Sequence, residues 1–106
     1  MKIVYMGTPD FAVPSLEALV HAGHEVACVV TQPDAVRDRG KKIKYSPVKE
    51  KALELGIPVL QPVKVRKDAE FLQQMQQIAP DLIAVAAYGQ ILPKEILELP
   101  EYGCLN

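Results

Sequence analysis

Three stretches of this chain are apolar almost without interruption, and they constrain its fold more than any other feature: residues 2–6, Val26 to Val30 within 25–31, and Leu82 to Tyr88. A strand with one wet face alternates apolar and polar side chains. A continuous run marks a strand buried on both faces, as in a parallel sheet covered by helices on either side. Between the runs lie patterns of helical period. Val13, Leu16, Leu19 and Val20 recur at helical spacing, with Pro14 in the first turn and Gly23 as the stop. Ser46-Pro47 opens a second helix, whose Val48, Ala52 and Leu55 form one apolar face and which Gly56 ends. Ile57 to Leu60 reads as a short third strand. Phe71, Leu72, Met75, Ile78 and Ala79 mark a third helix, with Gln73, Gln74, Gln76 and Gln77 largely on the wet side and Pro80 as its breaker. Strand and helix alternate, which predicts an α/β fold: a Rossmann-like, doubly wound, mainly parallel sheet with helices on both faces.

At 106 residues the chain is long enough for one domain with a sizeable core, and its 49% hydrophobic and 24% charged residues exclude intrinsic disorder. Two cysteines, Cys28 and Cys104, exclude a disulfide framework and a four-cysteine zinc site, and they suit a reducing compartment. No apolar run approaches the ~20 residues of a membrane span, and residues 1–10 carry no signal-peptide pattern. A cytoplasmic protein without membrane contact is expected. Pro93 to Leu97 allows one turn of helix, and Gly103 to Asn106 begins a fifth strand with Asn106 at its amino end. Residues 1–106 are therefore read as the N-terminal part of a longer domain, truncated after the start of the fifth strand. Such a fragment exposes a sheet edge and is expected to self-associate through it.

The first strand-to-helix turn, Gly7-Thr-Pro-Asp-Phe11, occupies the place where doubly wound folds bind ligands. It lacks the G-x-G-x-x-G spacing of a dinucleotide site, since Pro9 and Ala12 stand where glycines are needed. The net charge is −1, yet residues 37–49 carry +5 and the remainder −6. Arg37, Arg39, Lys41, Lys42, Lys44 and Lys49 crowd one connection, with Gly40 and Tyr45 among them. Clustered cations of this kind read as either a solvated charge run or a contact for a phosphate backbone, and the acidic remainder favours the second. His21 and His24 flank Gly23 at a helix end, where a cation suits the dipole. Neither has metal-ligand spacing to other candidates, so no metal is predicted. No nucleophile arrangement can be assembled from the serines, cysteines and histidines present. Tyr88-Gly-Gln-Ile-Leu-Pro93 follows the fourth strand on the ligand-binding edge. Its backbone can read a flat heterocycle, with Ile91 and Leu92 packing on the faces; a plain turn is the alternative. Asn106 offers an amide donor for a carbonyl oxygen that gains charge, though spacing alone assigns it nothing.

Taken together, Met6-Gly-Thr-Pro-Asp-Phe-Ala12, Val30-Thr-Gln-Pro-Asp34, Arg39-Gly-Lys-Lys42, Ser46-Pro-Val-Lys49, Gly56-Ile-Pro-Val-Leu-Gln-Pro62, Pro80-Asp-Leu-Ile83, Tyr88-Gly-Gln-Ile-Leu-Pro93 and Tyr102-Gly-Cys-Leu-Asn106 resemble the beginning of the methionyl-tRNA formyltransferase family. The resemblance implies formyl transfer from 10-formyltetrahydrofolate, a co-substrate, to the methionyl amino group of initiator tRNA in translation initiation. Asn106 matches the first position of that family's Asn-x-His pair; the chain stops before the His, so the fragment itself is expected to be inactive. Tyr88, Gly89, Gln90, Ile91 and Leu92 match part of the folate pocket. Arg37, Arg39, Lys41, Lys42 and Lys44 match the loop directed at the tRNA. The alternatives are another formyltransferase or hydrolase that uses 10-formyltetrahydrofolate, and a non-catalytic RNA- or nucleotide-binding module. The +5 segment favours the tRNA enzyme.

Overall fold

The computed structural model describes residues 1–36 and 43–106. In chain order the elements are β1 (Lys2–Gly7), a 3-10 turn (Asp10–Ala12), α1 (Val13–His21), β2 (Glu25–Val30), β3 (Ala35–Val36), β4 (Ile43–Lys44), α2 (Pro47–Glu54), β5 (Val59–Leu60), a second 3-10 turn (Val65–Lys67), α3 (Ala69–Ile78), β6 (Leu82–Ala86), α4 (Lys94–Leu97) and β7 (Cys104–Leu105). Five strands form one parallel sheet in the order β5-β2-β1-β6-β7. The chain moves outward from β1 through β2 to β5, then returns to the other side of β1 as β6. The reversal lies between β1 and β6.

The apolar runs are buried on both faces, as their patterning requires. Val4, Met6, Cys28, Val30 and Ile83 face one core with Phe71, Met75, Tyr88 and Ile96, on the side of α3 and α4. Tyr5 and Val29 face the other, with Leu16, Val48 and Ala52 from α1 and α2. Successive side chains of a strand point to opposite faces, so one uninterrupted run supplies both cores. Burial pushes the Tyr5 phenol up from its ordinary pKa, and its hydroxyl donates to the Ala12 carbonyl at 2.6 Å. At the amino edge, the Asp81 carboxylate accepts from Lys2 N at 2.8 Å while Asp81 N donates to the Lys2 carbonyl at 2.8 Å. This pair sets β6 against β1.

The structure adjusts several expected boundaries. The fourth strand of the sequence reading ends at Ala86 rather than Tyr88, because Ala87 turns to φ +54 and leaves the extended region. The third narrows to Val59–Leu60. The third helix begins earlier, at Ala69, because the Asp68 side chain caps it by accepting from Phe71 N at 2.8 Å. The connection read as one long loop contains β3 and β4, paired antiparallel through Ala35–Lys44 and Val36–Ile43. Gly103–Asn106 does contribute a fifth parallel strand, but Asn106 follows β7 rather than opening it. Among the described residues, no helix is long and apolar enough to cross a membrane.

The Asp68 cap is specific to α3, which supplies Phe71 and Met75 to the core. Asp68→Ala is expected to lower stability by about 1 kcal/mol. Urea denaturation should show an earlier midpoint with an unchanged slope, since a cap removed from an otherwise intact helix alters no surface exposed on unfolding.

Candidate active site

The carboxyl edge of the sheet gathers the polar side chains that the strand ends carry. Gly7 closes β1 where a side chain would not fit: a Cβ there would lie 2.9 Å from the Ala86 carbonyl oxygen and 3.2 Å from the Ala12 Cβ. Thr8 follows, and its hydroxyl donates to the Tyr88 carbonyl at 2.8 Å, bridging the reversal between β1 and β6. The same oxygen accepts from Gln32 N at 3.3 Å. Thr31, fully buried at the end of β2, shares a 2.7 Å hydrogen bond with Ser46, and Ser46 caps α2 by accepting from Lys49 N at 3.0 Å. The loops after β1, β2 and β6 and the start of α2 are thus tied into one polar layer.

A second set of contacts lies at the base of the β3–β4 ribbon. Lys49 Nζ donates to Asp34 Oδ1 and Oδ2 at 3.0 and 2.9 Å and to Gln61 Oε1 at 2.9 Å. It also sits 3.7 Å from the centre of the Tyr45 ring, a cation–π distance. Gln61 Nε2 donates to Asp34 Oδ1 at 2.8 Å and to the Gln32 carbonyl at 3.2 Å. The Gln61 amide first, and Lys49 next, hold the Asp34 carboxyl below its usual pKa by stabilising the carboxylate.

Beside the loop after β6 is an open cleft of about 610 Å³ lined by Lys64, Arg66, Lys67, Gln90 and Ile91. Its three cations come from the 3-10 turn after β5 and the residue before it. Ile91 is 79% exposed, so the cleft has an apolar lip beside a cationic wall. Such a site suits a ligand with an apolar body and an anionic end.

The residues singled out in the sequence fall as follows. Tyr88 is buried in the core, and burial pushes its phenol up to about 12. Gly89 holds φ +104, a backbone that favours glycine, and a Cβ there would meet Gln32 Nε2 at 2.6 Å, so that side chain would have to shift. Gln90 points into the polar layer, Ile91 lies open on the cleft, and Leu92 packs against the α3–α4 core. Asn106 follows the Ala84–Leu105 pair on the outer strand and is exposed. Lys44 is exposed on β4, beside a cleft it shares with Asp34, Ile43, Tyr45 and Glu50. Arg37, Arg39, Lys41 and Lys42 lie outside the described residues. Cys28 is core, and burial raises its thiol pKa to about 12. The sequence reading passed over Lys64, Arg66 and Lys67; three cations in four residues after a strand were the available signal. Gln32 and Gln61 entered that reading only within the motifs that carry the resemblance, with no role of their own, although their positions at strand ends pointed to the same edge.

Residues 1–106 match the formyl transferase family over their whole length. The chain belongs to that family. It is 59% identical over 106 residues to methionyl-tRNA formyltransferase of Caldanaerobacter subterraneus subsp. tengcongensis, and 58% identical over 106 residues to the protein of that name from Clostridium botulinum. In both cases the match takes in 100% of this chain and 34% of the relative, so the chain spans about a third of the length of the curated relatives it matches. The fold is shared with phosphoribosylglycinamide formyltransferase from Bacillus halodurans: TM-score 0.70 at 16% identity, covering 98% of this chain and 54% of that one. Glycinamide ribonucleotide transformylase 1 from Symbiobacterium toebii gives a TM-score of 0.65 at 17% identity, covering 98% and 49%.

The Asp34–Lys49–Gln61 cluster yields a pH test. A carboxyl whose folded pKa is depressed keeps its contacts above the unfolded pKa and loses them as pH falls through the folded value. The Asp34 carboxyl carbon, followed by NMR, is expected to titrate with a midpoint below the ~3.9 of an unperturbed Asp. Lys49→Met should move that midpoint up; an unmoved midpoint would show that Lys49 does not stabilise the carboxylate.

Proposed function

We propose that residues 1–106 form the N-terminal part of the catalytic domain of an enzyme that transfers the formyl group of 10-formyltetrahydrofolate to the amino group of methionyl-tRNA, the initiator form used to begin translation. The observation that carries this reading is the 58–59% identity, sustained along all 106 residues, to relatives bearing the one name methionyl-tRNA formyltransferase. The +5 segment of residues 37–49 supports it further, since a folate and a small acceptor need no such charge.

In this reaction the methionyl nitrogen attacks the formyl carbon, and the carbonyl oxygen takes up negative charge. Collapse of the tetrahedral intermediate restores the carbonyl and breaks the bond to the folate nitrogen, which accepts the proton that the amine gives up. Asn106, directly after the strand beside β6, is assigned the hydrogen bond to the charged oxygen. Donors aimed at developing charge act mainly on the transition state. Gly89 and Ile91 are assigned the folate ring system, with Tyr88, Gln90 and Leu92 shaping the loop that presents them. Lys64, Arg66 and Lys67 are assigned the carboxylates at the far end of the donor, which match the cationic wall of the cleft. Arg37, Arg39, Lys41, Lys42 and Lys44 are assigned the phosphates of the tRNA.

One oxyanion donor and part of a folate pocket do not make a complete site, so the 106-residue chain by itself is expected to produce no formylmethionyl-tRNA above background from saturating donor and methionyl-tRNA. The outer side of β7 carries exposed Leu105, with exposed Tyr102 just before it, and supports self-association of the isolated chain. Sedimentation of a monomer at high concentration would argue against that contact.

The tRNA assignment is tested in a full-length enzyme carrying this segment. Replacing Arg39 and Lys42 together by Ala should weaken tRNA binding and flatten the dependence of log affinity on log salt by roughly one unit per lost contact. Donor affinity should be unchanged. Coincident salt plots for the two proteins would remove the basic segment from the RNA interface.

A further inference from the structure

Gln90 belongs to the loop after β6 and lines the cleft, yet every hydrogen its side chain can donate is committed to the protein. Its Oε1 accepts from Val65 N at 2.9 Å. Its Nε2 donates to Gln32 Oε1 at 3.0 Å and to the Pro62 carbonyl at 3.1 Å, with the Tyr88 hydroxyl oxygen at 3.4 Å. An amide NH2 has two hydrogens, and Gln32 and Pro62 take both. One side chain thereby joins three segments: the loop after β2, the segment from Pro62 to Val65, and its own loop after β6.

Where it grips the second segment is the informative point. Val65 is buried, only 4% exposed, while Lys64 and Arg66 on either side of it are exposed along the cleft. The turn is therefore pinned at its first residue, through a main-chain N–H, with Lys64 before the pin and Arg66 and Lys67 after it. Gln32, the other end of the strut, is fixed independently: its N–H donates to Thr8 and its carbonyl accepts from Gln61. It also fills the space beside Gly89 that a Cβ would need.

We propose that Gln90 is a positioning residue: acting through Val65 N and Gln32, it holds the Lys64–Lys67 turn at the distance from Ile91 at which its cations receive the anionic end of the folate donor. This rests on the assignment of the cleft to the donor made above. It differs from a direct contact between Gln90 and the ring system in what it predicts. A residue that reads the ring affects every donor containing the ring. A residue that places the turn affects only donors that reach the turn.

The experiment uses a full-length enzyme carrying this segment, with two probes: 10-formyltetrahydrofolate, and 10-formyltetrahydropteroate, which has the ring system but no glutamyl carboxylates. Gln90→Met keeps the length of the side chain and removes all its hydrogen bonds. It is expected to cost the complete donor about tenfold in affinity, the scale of one buried group left unpaired, while leaving the tail-free donor within about twofold, inside ordinary variation between surface variants. Hydrogen exchange at Val65 N should accelerate, and exchange in β1 and β6 should not. Should Gln90→Met fail to fold, Gln32→Met removes one partner of the strut, and the same pattern is expected in weaker form. Equal losses for both donors, or no loss for either, would overturn the proposal. A wild-type enzyme that binds both donors alike would overturn the cleft assignment instead, and the Val65 exchange rate would then report separately on whether Gln90 pins the turn.

Discussion

β1 is hydrogen-bonded on both sides, by β2 and by β6, and buried on both faces; the rest of the molecule is arranged around that condition. A central strand has no exposed backbone and no wet face, so residues 3–7 are all buried and none can carry a charge without a partner. Polar groups are displaced to the strand ends. At the amino end Asp81 pairs with the Lys2 backbone. At the carboxyl end Gly7 lets β6 approach closely, and Thr8 spans the reversal of the chain to reach Tyr88. The crevice between diverging connections at a reversal is where doubly wound folds place their ligands.

The carboxyl edge is polar but well satisfied. Among the described residues no buried side-chain nitrogen or oxygen lacks a partner. Threonine, serine and glutamine side chains bond to one another and to the backbone of neighbouring loops, so the layer acts as a scaffold. The groups left free to meet a ligand lie above it: the Ile91 side chain and the cations of the 64–67 turn. At this edge, residues held by hydrogen bonds or burial alternate in the chain with residues left open. Gln90 holds and Ile91 is free; Val65 is held and its neighbours are free.

Charge is divided as well. Lys49 lies within the +5 segment but is spent on Asp34, Gln61 and the Tyr45 ring, so it anchors the base of the β3–β4 ribbon instead of meeting solvent. Lys44 remains open on that ribbon. A count of cations by sequence treats the two alike, whereas their partners give them different tasks.

The sequence by itself determined the layered fold. Unbroken apolar runs cannot be half-wet strands, and helical periods between them leave a parallel sheet with helices on both sides as the arrangement that buries both. It also placed the glycine turn after β1 and the loop at residues 88–92 at the carboxyl edge of the sheet, because alternating strands and helices fix which strand ends those connections follow. The strand limits, the β3–β4 pairing and the place of Asn106 after β7 were decided by tertiary structure: a positive φ at Ala87 and pairings of only two residues leave too little local signal. The same is true of the site's interior. Gln32, Gln61, Val65 and Gln90 are up to 58 residues apart, and no local pattern records that they meet. Their partners are chosen by how loops from separate crossovers pack over one edge, a long-range outcome of burying the strands beneath them.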